Sequence, residues 1–265
     1  MTTSYHVHST YSDGHCSIRE LALAAADAGL DELGISDHYV LLASGDLPGW
    51  SMPLEALPRY LDEIRAAAEE LDGRLVVRYG LEADFDPGTW RELGDVLARH
   101  PFDYVIGSVH FIDGFPVDTD RRDWDDLTQP QRNDMVRAYL DRIRQLTGTG
   151  LFDFVGHLDL YKKFGHAPTV DVSQDVAAVL DAIAASGMAV ELNTAGWSMP
   201  VREAYPSPTI LAGCRRRGAP VVITADAHHT SNLTRDYDRA QALLRATGYT
   251  ETAAFAGRQM RLAAL

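Results

Sequence analysis

Two short runs, HVH at residues 6–8 and DAH at 226–228, set His6 two residues from His8 and Asp226 two residues from His228. Side chains at i and i+2 of an extended backbone project to the same side, so each run forms a chelating pair if it lies on a strand. Further imidazoles and carboxylates stand at Asp13, His38, Glu82, His110 and His157. Such a donor set, with no cysteine in it, suits zinc, iron or manganese. Nine donors exceed the three or four that one open site uses, so two or three divalent ions are expected, with Glu82 placed to bridge. His15, two residues after Asp13, is an alternative loop donor.

These residues must be brought together by the fold. Seven β-branched, apolar runs read as strands: Ser4 to His8, Glu32 to Ser36, Leu75 to Glu82, Tyr104 to Ser108, Phe154 to His157, Met188 to Asn193 and Val221 to Thr224. Helix-period segments separate them, at Ser17 to Ala28, Pro53 to Leu71, Thr89 to Arg99, Pro130 to Leu146, Ser173 to Ala185, Ser207 to Arg217 and Arg235 to Ala246. Alternation of this kind is the pattern of an α/β protein with a parallel sheet or barrel. Ser17 with Glu20 predicts a capping box, and Ser173 and Gly187 bracket another helix. Gly257 to Leu262 is a weak candidate for an eighth strand. His6, His8, His38, His110, His157 and His228 all fall in or just beyond strand C-termini, and Glu82 and Asp226 share that level. In a parallel barrel these ends open on one face, where the loops build an active site. A lone strand-end histidine is usually structural; six at one level converge on a metal. His100, His166 and His229 fall outside this pattern and read as surface or supporting groups.

Composition narrows the function. The 265 residues carry 24 Lys plus Arg against 38 Asp plus Glu, a net charge of −14. With no long basic run, such a surface disfavours nucleic acid as a partner. Cys16 and Cys214 stand 198 positions apart and suggest neither a disulfide framework nor a cysteine zinc site; both read as small core residues. The start MTTSYHVHST lacks a signal-peptide pattern and no stretch reaches the length of a membrane span, so a cytoplasmic protein without membrane association is expected. No composition shift or repeat divides the chain, and residues 1–265 read as one domain. No heptad pattern marks a subunit interface.

The runs YHVHSTYSDG, GISDH, GLEADFDPGT, FDYVIGSVHF, LFDFVGHLDLYKKFGH, ELNTAGW with YPSP, and ITADAHH follow one another over most of the chain. In that order they resemble the histidinol-phosphate phosphatase branch of the PHP (polymerase and histidinol phosphatase) family. The resemblance implies a distorted seven-stranded (β/α)7 TIM-like barrel, in agreement with the strand count. It also implies a trinuclear metal site that hydrolyses a small phosphate monoester, L-histidinol phosphate, to the alcohol and inorganic phosphate. By motif, His6 and His8 with Glu82 and Asp226 would hold one ion, Asp13, His38 and His228 a second, and Glu82, His110 and His157 a third. Metal-activated hydroxide would attack phosphorus in line. Asp226 and His228 are the candidate catalytic groups, with Asp226 or a metal-bound water as proton donor to the leaving alkoxide. Lys162 would be the cationic phosphate binder and Asn193 a further substrate contact.

One position departs from the family. Relatives that share NTAG usually continue with Leu-Arg, whereas this chain has Trp197 and Ser198. The missing guanidinium leaves Arg202 as the expected substitute, and leaves room for a different phosphorylated metabolite. An amidohydrolase would want a strand-end lysine or carbamate bridge, the role Glu82 fills here. A non-catalytic metal-binding PHP module would have lost ligands, and none is lost.

Overall fold

A computed structural model describes residues 1–265. Its strands are β1 (Thr3–Ser4), β2 (Glu32–Ile35), β3 (His38–Tyr39), β4 (Val76–Tyr79), β5 (Glu82–Asp84), β6 (Ile106–Ser108), β7 (Phe111–Ile112), β8 (Phe115–Pro116), β9 (Phe154–Val155), β10 (Ala189–Asn193), β11 (Val221–Thr224), β12 (Glu251–Ala256) and β13 (Gln259–Ala264). Its helices are α1 (Ile18–Asp27), α2 (Leu57–Glu70), α3 (Trp90–Leu97), α4 (Arg121–Asp125), α5 (Gln129–Thr147), α6 (Ser173–Ser186), α7 (Pro208–Arg216) and α8 (Tyr237–Thr247). No helix is long and apolar enough to cross a membrane.

Parallel pairing runs from β1 to β2 to β4, and from β3 through β5, β6, β9 and β10 to β11. Short breaks separate β2 from β3 and β4 from β5, so each of these pairs is one strand run with a kink. The first and last runs meet at a parallel bridge between Val7 and Ala227. There His8 N donates to Ala227 O at 2.8 Å and Ala227 N donates to His6 O at 2.9 Å. Seven parallel runs are thus neighbours in chain order and the circuit closes, the distorted (β/α)7 barrel expected from the sequence. All their C-termini open on one end.

Local chemistry explains the helix boundaries. Ser17 and Glu20 form the expected capping box at α1, and Thr128 with Gln131 forms another at α5. Ser173 does not cap α6. Val172 holds that place, while Asp171 Oδ1 accepts from Ser173 N at 2.8 Å. Gly187 ends α6 at φ +75°, a left-handed conformation that glycine adopts without a Cβ clash.

The opposite end of the barrel is filled and closed. Tyr104 crosses the interior and donates from Oη to Tyr5 O at 2.6 Å, in space left by Gly34 and Gly80, where a Cβ would collide with its ring. The weak segment Gly257 to Leu262 does not add a barrel strand. Its residues form the turn and second strand of an antiparallel hairpin, β12–β13. The hairpin packs by Phe255, whose ring lies against Phe154, Tyr5 and Tyr104, with ring centroids 5.3, 6.0 and 6.1 Å away. The hairpin is tied to segments that precede barrel strands, by Gly257 N to Asp103 Oδ1 at 2.8 Å and Arg258 Nε to Asp153 at 2.7 Å. A second hairpin, β7–β8, turns through Asp113 and Gly114, both at positive φ.

Because Phe255 is 1% exposed and lies at the end remote from the site, Phe255→Ala should lower stability by about 3–5 kcal/mol. Urea denaturation would measure that loss, and turnover at 20 °C should stay close to that of the parent.

Candidate metal centre

Glu82 opens β5 and its side chain is fully buried. Its Oε2 lies 2.7 Å from His38 Nδ1, 3.1 Å from His6 Nε2 and 3.6 Å from His8 Nε2. Its Oε1 lies 2.9 Å from His157 Nε2 and 3.7 Å from His110 Nε2, and accepts from Ser108 Oγ at 2.7 Å. Asp226 Oδ1 stands 3.2 Å from His8 Nε2 and 3.7 Å from both His6 Nε2 and His228 Nδ1. Asp13 Oδ1 stands 3.2 Å from His228 Nε2 and 3.7 Å from His38 Nε2. All nine donors singled out in the sequence therefore meet at the barrel's C-terminal end. His15 does not join them; its side chain is exposed and its backbone N–H bonds to His228 O.

The two chelating runs reach the cluster by different routes. HVH flanks the closing bridge at Val7 in the ordinary alternation of a strand. DAH lies beyond the end of β11, and Asp226 has φ +51°, a left-handed conformation unusual for a residue with a Cβ. That turn, rather than strand alternation, directs Asp226 inward.

Four groups have ligand atoms within 4.8 Å of one another: His8, Asp13, His38 and His228; His6, Glu82 and His157; His6, His8 and Asp226; and His38, Glu82 and His110. These sets overlap more than the one tetrad and two triads implied by motif, which share only Glu82. Six of the facing atoms are buried without a hydrogen-bond partner: His6 Nε2, both ring nitrogens of His8, Asp13 Oδ1, His38 Nδ1 and Glu82 Oε2. Buried polar atoms left unpaired are destabilising, and several aimed at one space call for a cation. The donor types fit zinc, iron or manganese.

Electrostatics give the same answer. Burial alone would raise the Glu82 carboxyl, but His6, His38, His110 and the His157 bond overcome it and hold Glu82 well below the usual carboxylate range. Asp226 is likewise held ionised against its burial, chiefly by His6 and His8. Burial and the neighbouring His38 and His228 push the His8 imidazole down to about 3, so it stays neutral and free to ligate. Burial opposes protonation of His110 and His228, yet Asp84 with Glu82, and Asp13 with Asp226, raise them to about 10 and about 9. The protons that these imidazoles retain supply the positive charge that a divalent ion would bring.

A second layer fixes the donors. Glu191, fully buried on β10, takes His6 Nδ1 at 2.5 Å, His157 N–H at 2.6 Å and Thr224 Oγ1 at 2.6 Å. Asp84 holds His110 at 2.6 Å through Nδ1. Asp37 accepts from the backbone of Ser9 and Ser12 and so pins the loop that carries Asp13. Carboxylates on the far side of ligating imidazoles set the tautomer and ring orientation. Sequence reading passed over all three, although Glu191 sits as a lone charge in the apolar run MAVELN, and Asp84 follows Glu82 by two residues.

The cluster opens into a cavity of about 360 Å³, lined among others by Asp13, His38, Asp118, Lys163, Asp226 and Arg235. The expected substrate contacts are not on its wall. Lys162 is buried, its ammonium taken by Asp159 at 2.9 Å, Glu203 at 2.6 Å and Ala204 O at 2.8 Å. Residues 160–162 form a helical turn, and Lys163 just after it is the lysine on the cavity wall, paired with Asp118 at 2.9 Å. Asn193 donates to Asp226 Oδ2 and Glu191 Oε2, both at 3.2 Å, and its Oδ1 caps the following turn; it positions Asp226. Arg202 is exposed, at φ +55°, and lies outside the lining.

Residues 4–195, most of the chain, match the PHP domain family. The chain belongs to that family. This PHP protein is 43% identical over 218 residues, 81% of each chain, to a protein of Deinococcus radiodurans named as a probable histidinol-phosphatase. It is 27% identical to the histidinol-phosphatase of Lactococcus lactis, over 96% of this chain and 94% of that one. The solved structure of the Lactococcus lactis histidinol phosphate phosphatase, complexed with zinc, L-histidinol and phosphate, superposes with a TM-score of 0.83 at 25% identity, covering 98% of both chains.

The folded, metal-free protein keeps protons on His110 and His228 that the unfolded chain releases near pH 6.5. Their contribution to stability is complete below pH 6.5 and fades as pH rises through about 9 and about 10. Chelator-treated PHP protein should accordingly lose thermal stability between pH 6.5 and 10 on this account, and zinc or manganese should restore it. Glu191→Gln should weaken metal affinity by about 10- to 100-fold, measured by competition with a chromogenic chelator.

Proposed function

We propose that this PHP protein hydrolyses L-histidinol phosphate to L-histidinol and inorganic phosphate, with His6, His8, Asp13, His38, Glu82, His110, His157, Asp226 and His228 holding about three divalent ions. The observation that carries this reading is the Glu82 carboxylate, fully buried, unpaired at Oε2 and faced by imidazoles from several strands beside an open cavity. The substrate follows from the names of its relatives and from the L-histidinol and phosphate in the Lactococcus lactis structure. An amidohydrolase reading has no lysine to offer, since both lysines of the chain are paired with carboxylates away from the cluster centre.

Bound there, divalent ions would polarise the phosphoryl oxygens and lower the pKa of water for attack on phosphorus. The chain's own residues then have defined tasks. Glu82 faces His6, His8 and His38 with one oxygen and His110 and His157 with the other, which suits it to bridge. Asp226 starts ionised, so it does not begin as the acid. Its Oδ1 takes the proton that the attacking water loses and returns it to the leaving alkoxide, while Asn193 holds Oδ2. Arg235 brings uncompensated positive charge to the cavity wall, where a monoester dianion is to be held, while Lys163 beside it is paired with Asp118.

Phosphate release by metal-reconstituted protein, compared across L-histidinol phosphate and generic monoesters, tests the reading. L-histidinol phosphate should be preferred by at least about 100-fold in kcat/KM. Glu82→Gln should reduce turnover by at least about 10³-fold, the scale of metal assistance, together with metal content. Reconstituted protein that releases phosphate from no monoester would overturn the proposal.

A further inference from the structure

The cavity wall has two cations, and they differ in what already satisfies them. Lys163 is neutralised, its Nζ donating to Asp118 Oδ2 at 2.9 Å and to Asp118 O at 2.8 Å. Arg235 forms no ion pair. Its Nη2 donates to Ala225 O at 2.5 Å, while Nε is buried with no partner. A partly buried guanidinium with an unsatisfied N–H and no counter-charge is destabilising unless something supplies an acceptor. The wall it occupies also carries Asp226 and His228 of the cluster.

Its placement is enforced. Arg235 stands two residues before α8, and its carbonyl accepts from Thr194 Oγ1 at 2.7 Å, which ties this segment to the turn after β10. One helical turn on, the Arg239 guanidinium lies 4.1 Å from the ring centroid of Trp197. Trp197 and Thr194, from the NTAGW run, therefore hold the start of α8 against the cavity. Ser198, beside them, is exposed.

We propose that Arg235 is the guanidinium that binds the phosphoryl group of the substrate and the inorganic phosphate product. The planar fork keeps Nη2 on the backbone while the guanidinium, with no counter-charge of its own, lines the cavity and offers its remaining amine to anion oxygens. The role that sequence reasoning placed at Arg202 thus belongs to a residue 33 positions further on, delivered by the loop after the seventh strand run. This inference rests on the phosphomonoesterase reading and refines it.

The test is the dissociation constant of inorganic phosphate, by calorimetry on metal-reconstituted protein, alongside kcat and KM for L-histidinol phosphate. Arg235→Gln loses the charge and, being shorter, also the bond to Ala225 O. It should weaken phosphate binding by about 10- to 100-fold and raise KM, with metal content unchanged. Arg235→Lys, which keeps the charge without the fork, should fall between the two. Arg202→Gln should bind phosphate as the parent does. Phosphate affinity within twofold of the parent in both Arg235 variants overturns this inference while leaving the hydrolase reading intact. Parent protein that neither binds nor releases phosphate overturns both.

Discussion

A carboxylate removed from water in the middle of a barrel is the constraint on which the molecule turns. Glu82 is inaccessible to solvent, and its only strong protein donor outside the imidazoles is one serine hydroxyl. Burying an ionised group without compensation is among the most unfavourable things a fold can do. This chain surrounds it with histidines and backs two of those with further buried acids, Glu191 and Asp84. Acids on both sides of an imidazole ring make sense when a cation stands between the inner pair. The outer acid then orients the ring, and the inner one shares its charge with the ion.

The division of labour between the ends of the barrel follows. At the C-terminal end, polar side chains are left deliberately incomplete. At the other end the interior is sealed by Tyr5, Tyr104, Phe154 and Phe255, packed ring against ring. The two tyrosine hydroxyls there are bonded, Tyr104 Oη to Tyr5 O and Tyr5 Oη to Glu32. Stability and reactivity are separated along one axis, as is general for parallel barrels.

Much of this was legible in the sequence because parallel strands impose one direction on every run. Once seven runs were seen, the level of each histidine followed from its place in its run, and all nine donors met. What could not be read was local deviation from that regularity. The left-handed Asp226 breaks alternation, so DAH converges for a reason different from the one its spacing suggests. Lys162, expected from the family resemblance, is held by Asp159 and Glu203, and its neighbour Lys163 lines the cavity. Arg235 belongs to no motif, and its position depends on contacts to Thr194 that link two loops 41 residues apart. The final hairpin was obscured by its alanine-rich first strand, ETAAFA, in which only Phe255 marks an inward side.

The bridge between Val7 and Ala227 carries one more implication. It joins the two ends of the circuit, and the residues on either side of it in each strand are themselves donors: His6 and His8, Asp226 and His228. Sealing the cylinder and completing the ion pocket are therefore one event, and it requires nearly the whole polypeptide. Two of the four ligand sets, His8 with Asp13, His38 and His228 and His6 with His8 and Asp226, are completed only by this closure, while His6, Glu82 and His157 and His38, Glu82 and His110 assemble without it.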